Sequence, residues 1–139
     1  MKNILVVGPI AGVVLGIVSA ISSYIFGPYF RILEAPGGWE IWDLSLIRLF
    51  ALAAISLGVI WGTIMGAIYA RFYDRVPGKG ILKGLYFGLL IWLIKDIMAG
   101  SYLALTMLEI PSAIILIING FFMWSAYGLM LGYLYKPTK

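Results

Sequence analysis

Two ionisable residues, Lys95 and Asp96, interrupt a long apolar stretch. Gly88-Leu89-Leu90-Ile91-Trp92-Leu93-Ile94 precedes them and Ile97-Met98-Ala99 follows. A cation and a carboxylate in such a setting can pair with each other, hold a solute or ion, or bind a polar group of a partner chain. Charge in hydrocarbon is costly unless it is paired or hydrated, so ionisable residues in apolar helices are candidate sites. Asn119, within another apolar stretch, is the third candidate. Other chemistry is narrowed by what is absent. The chain has no Cys and no His, which removes disulfides, thiolate metal sites, the usual haem ligand and the usual proton shuttle near neutral pH. No phosphate-binding glycine loop, metal-ligand spacing or nucleophile–His pairing is found, so no catalytic residue, metal or cofactor is expected.

These residues need elements to carry them, and composition says which. Of 139 residues, 63% are hydrophobic and 12% charged, against roughly a quarter charged in an ordinary soluble domain. So much apolar surface would aggregate in water; lipid is its natural solvent. The apolar residues fall in four blocks, at about 4–25, 46–72, 81–107 and 110–135. Each meets the roughly 20 residues a helix needs to cross about 30 Å of hydrocarbon. Backbone amides in lipid must be satisfied within the segment, which makes each block a helix. Met1-Lys2-Asn3 and Val18-Ser19-Ala20 could mark a signal peptide, but the first run is long for one, and it reads as a membrane helix.

The expectation is an all-α, integral membrane four-helix bundle, up-down-up-down, forming a single transmembrane domain over residues 1–139. Basic residues orient it. Lys2, Arg71, Arg75, Lys79, Lys83, Lys136 and Lys139 fall on one side, Arg31 and Arg48 on the other. The positive-inside rule puts the richer side, and both termini, in the cytoplasm of a cell-membrane, multi-pass protein. The net charge of +4 then reports orientation and contact with membrane lipids, and no nucleic acid is expected. The loop at 26–45 carries Glu34, Glu40, Asp43, Trp39 and Trp42 and should lie in the interface; the third connection, near 108–111, makes a tight hairpin.

One glycine pair recurs per helix: Gly12 and Gly16, Gly62 and Gly66, Gly84 and Gly88, Gly128 and Gly132. Each pair lies one turn apart on one face, where a partner backbone can approach closely. Their matched depth, and the likeness of residues 61–69 to 127–135, suggest two related helical hairpins. On an unbroken helix Lys95 falls within about 20° of Gly84 and Gly88, with Asp96 about 100° away. Lys95 lies about 18 Å beyond Lys83 at 1.5 Å per residue, near mid-membrane, and is expected to point into the bundle or toward a subunit interface. Asn119, about 15 Å below Glu109, shares that depth. Ser19, Ser22 and Ser23 share a face of the first helix, and with these groups could line a polar cavity open to the outside. Trp61, Trp92 and Trp124 are expected to fill the space where the helices splay beyond the glycines. The favoured function is a small non-catalytic integral membrane subunit packed within a larger membrane protein complex, or self-associating. A small oligomeric transporter or channel, with Lys95, Asp96 and Asn119 lining its path, is the alternative; a membrane enzyme ranks below both.

Overall fold

The computed structural model describes residues 4–26, 44–106 and 110–136. Lys2, Arg31, Lys139, the loop with Trp39 and Trp42, and Leu108–Glu109 of the third connection lie outside them. The described chain is all-helical: α1 (Ile4–Phe26), α2 (Leu44–Phe72), α3 (Ile81–Trp92), α4 (Met98–Thr106) and α5 (Ile110–Leu134). Three helical stretches, Ile4–Ser22, Ala51–Arg75 and Ile110–Leu134, are long and apolar enough to cross a membrane. Large apolar side chains cover the outside as well as the core, with Leu5, Leu52, Met98 and Leu105 among the most exposed. That inverted surface suits lipid and not water.

Local chemistry sets the helix ends. After α2 the chain tightens into a 3-10 turn at Tyr73–Arg75, and the Val76 amide donates to the Phe72 carbonyl at 3.2 Å. Val76 is extended, as the ring of a following proline requires, and Pro77 ends the run. Gly78 and Gly80 have φ of 92° and 54°, left-handed values that let the chain reverse into α3. Pro111 sits in the first turn of α5, where its missing N–H leaves no intrahelical bond unmade.

α1 packs along α2, and α3 and α4 pack along α5; the two layers meet chiefly through α1 and α5. Both hairpin seams are antiparallel and backbone-close. A Cβ on Gly16 would sit 2.5 Å from the Ile55 Cα, one on Gly58 2.7 Å from the Gly16 amide, and one on Gly66 2.9 Å from the Gly8 Cα. In the second seam a Cβ on Gly132 would lie 2.9 Å from the Gly84 Cα, one on Gly88 would collide with the Trp124 carbonyl, and one on Gly128 with the Gly84 carbonyl. Real Cβ atoms do not approach this closely, so the seams exist only as glycine. The first seam extends beyond the four glycines singled out by spacing, because Gly8 and Gly58 continue the same four-residue step.

The buried core lies between the layers: Ile4, Val7, Ala11 and Leu15 of α1 meet Trp124, Tyr127 and Leu131 of α5, with Tyr69 and Phe87 alongside. Tyr127 donates its hydroxyl to the Gly62 carbonyl at 2.9 Å, tying α5 to α2 at a carbonyl a glycine leaves uncovered. Tyr69, Tyr73, Phe87 and Tyr135 form a cluster of edge-on and tilted rings, with centroids 5.1–5.5 Å apart, that joins α2, α3 and the end of α5. Of the three tryptophans expected to fill space inside, Trp124 is buried and Trp92 half-buried. Trp61 instead lies on the outer face of α2, 45% exposed, because it is one residue, about 100°, from the seam glycine Gly62.

Candidate functional site

The expected single third helix is interrupted. Between α3 and α4, residues Leu93–Ile97 form one π-helical turn. A π turn holds one residue more than an α turn, and such insertions recur at functional sites. Its effect here is a matter of phase. One extra residue sets every later side chain back by about 100°. Asp96 thereby takes the direction that an unbroken helix would give Lys95, in line with Gly84 and Gly88. Gly100 follows it onto the same face, where it is buried against Ile117 and Ala113 of α5.

Of the two directions expected of Lys95, the inward one is therefore corrected: Asp96, and not Lys95, enters the bundle. Asp96 is 3% exposed, while the Lys95 side chain is 54% exposed on the flank. Room for the carboxylate comes from Gly120 on α5, at which a Cβ would collide with the Asp96 Cβ, Cγ and Oδ2. The ammonium folds back to donate to Asp96 Oδ1 at 3.0 Å, and it lies 5.6 Å from the centre of the Trp124 ring. Thus the neighbours do meet, through the long lysine side chain reaching around the helix. It is the one salt bridge among the described residues.

The pair is only half satisfied. Asp96 Oδ2 is buried with no hydrogen-bond partner, and so are Asn119 Oδ1 and Trp124 Nε1. Buried polar atoms are normally paired, so each such exception asks for an explanation. Trp92 supports the turn differently: its indole N–H donates to the Ile117 carbonyl at 2.8 Å and its ring packs edge-on against Phe121. Among the described residues no hydrogen bond joins Asn119 to Lys95 or Asp96. Ser22 is buried and Ser19 half-buried, also without a hydrogen bond to the pair; the side chain of Ser23 lies outside the described set. The structure brings together Lys95, Asp96, Gly120 and Trp124. The expected polar cluster thus contracts to the turn and the part of α5 that faces it.

Gly120 and Trp124 are the site residues that spacing alone did not reveal. Gly120 to Trp124 to Gly128 is a four-residue series continuing the α5 seam, and that was the available signal. Gly100 lies on the four-residue series from Gly84 and Gly88 through Asp96, but the π turn alters the phase of that series. Among the described residues no cluster of acids able to hold a metal ion is found. Comparison of the chain with protein-family models, curated proteins and solved structures finds no match.

Proposed function

We propose that the chain is a small non-catalytic integral membrane subunit. In this reading it crosses the cell membrane four times, up-down-up-down with both termini cytoplasmic, and packs within a larger membrane assembly through the flank that carries Lys95. The observation behind the reading is the ammonium itself. Lys95 is more than half exposed on an outer face whose neighbours Leu93, Ile94 and Met98 are exposed and apolar. About 21 Å of helix separates it from Ile81 and about 16 Å from Thr106, at 1.5 Å per residue. A lysine near the middle of a span cannot easily bring its head to water, and the cost there is at least about 2.5–3.5 kcal/mol. Asp96 offsets only part of this through one oxygen. An acid or carbonyl of a neighbouring subunit would complete the shell.

The alternative, a small oligomeric transporter or channel, draws on the unpartnered Asp96 Oδ2 and Asn119 Oδ1, which could hold a solute or ion. One preparation separates the two. After mild detergent extraction, a subunit co-purifies with a larger membrane partner in fixed ratio. Lys95→Met should release that partner. It also strands the buried Asp96 carboxylate and so lowers the chain's own melting temperature. The double variant Lys95→Met with Asp96→Asn, which removes both charges, is the control that should fold and still not hold the partner. A transporter purifies as an oligomer of itself and moves solute in liposomes, and Asp96→Asn abolishes that movement. Wild-type and Lys95→Met proteins that assemble identically would remove the subunit reading.

A further inference from the structure

α2 and α3 run side by side without packing closely, since each is held by the other member of its own hairpin. Between them, beside the turn that joins them, lies a groove of about 620 Å³. Ile68 and Phe72 form one wall, Tyr86, Leu90 and Leu93 the other, and Arg75 stands at the turn end. The depth of the groove, from Tyr86 to Leu93, is about 10 Å of helix rise. Its walls are hydrocarbon, and Arg75 is the one cation among the residues that line it. Arg71, Arg75, Lys79 and Lys83 crowd residues 71–83 against the single acid Asp74, and none of the four is in a salt bridge with another of the described residues. The Arg75 guanidinium lies 5.9 Å from the Phe72 ring centre, over the groove wall. Lys83 stacks its ammonium 4.0 Å from the Tyr73 ring centre.

We propose that this groove binds one anionic phospholipid, its phosphate held by the Arg75 guanidinium and one acyl chain laid between Phe72 and Leu90. The planar guanidinium fork matches a phosphate in two parallel hydrogen bonds, and basic pockets between membrane helices are where acidic headgroups are held. A second copy of the chain fits less well. Two copies facing across this groove about an axis along the membrane normal would bring their two Arg75 guanidinium groups together. The inference rests on the membrane-embedded reading of the bundle.

Native mass spectrometry of the detergent-purified protein, doped with phosphatidylglycerol or phosphatidylcholine, tests it. One phosphatidylglycerol should stay bound under activation that strips phosphatidylcholine. Arg75→Gln should lower that retention several-fold, and Leu90→Trp, which fills the groove, should do the same. Arg48→Gln, an exposed cation at the far end of α2, should not. Equal retention of the two lipids, or wild-type retention in Arg75→Gln, would mean annular lipid only and overturn the proposal. So would a disulfide-linked dimer formed efficiently by Leu90→Cys in the membrane, which would give the groove to a second copy. Should Leu90→Trp fail to fold, the Arg75→Gln comparison decides alone. A protein that stays soluble and monodisperse without detergent would sink the membrane reading together with the groove, an outcome distinct from a detergent-dependent protein that holds no lipid.

Discussion

The two glycine seams start alike and end differently. Between α1 and α2 the seam is uniform: Gly8, Gly12 and Gly16 lie against Gly66, Gly62 and Gly58, and backbone meets backbone for its whole length. Between α3 and α5 the glycines hold only the half nearer the α2–α3 turn, through Gly84, Gly88, Gly128 and Gly132. Beyond them the π turn intervenes, and the seam continues as a carboxylate set in the notch of Gly120. The same device, small residues that let backbones approach, thus serves pure packing in one hairpin and makes room for a charge in the other. The difference locates the candidate site better than polarity alone, because Asn119 and the serines are polar without sharing it.

The contrast can be broken first at the glycines themselves. Gly12→Leu and Gly84→Leu should each cost more than the roughly 1–3 kcal/mol typical of an overpacked core, since the added side chain meets backbone that cannot rotate away. Thermal unfolding in detergent measures the loss. Equal stability of wild type and both variants would show that the seams do not hold the bundle.

Gly120→Ala should have a smaller effect, about 1–3 kcal/mol, and a different character. The methyl group would meet the Asp96 side chain, its Cβ as well as its carboxylate, as nearest neighbour. Asp96 and the turn that carries it must therefore shift, while the backbone-to-backbone contacts of the glycine seams are not touched. The change should therefore weaken whatever the site binds more than it weakens the fold. The measurements are partner retention or solute flux set beside the melting temperature. Parallel loss of both would reduce the notch to ordinary packing.

The mildest change sharpens the comparison. Deleting Ile94 converts the π turn to α-helix and leaves Asp96 and Gly100 on the seam face, because the extra residue is what is removed. Deleting Leu116 from α5, which has no such surplus, puts the residues on its two sides out of phase by about 100°. The Ile94 deletion should accordingly retain most of the melting temperature and the Leu116 deletion should not. The reverse order would mean that the π turn does not set the phase.

What the residues determine by themselves is the class of the molecule. Apolar runs of this length have few options other than helix in lipid, because each amide must be bonded locally. Recurring glycines report the seam faces for the same local reason: four residues make nearly one turn wherever they occur. Lys95 and Asp96 are likewise conspicuous as the interruption of an apolar run. Which of them faces inward is not a local property. Helical phase accumulates along the chain, so a single surplus residue at Leu93–Ile97 turns two adjacent side chains of opposite charge back by about 100°, Asp96 inward and Lys95 to the flank. The surplus coincides with packing against α5, where Gly120 leaves space for a carboxylate and Ile117 offers Trp92 a carbonyl. Those contacts join residues more than twenty positions apart in sequence. Only the assembled bundle brings them together, and so only the tertiary structure decides that Asp96 is buried and Lys95 is left for whatever lies outside.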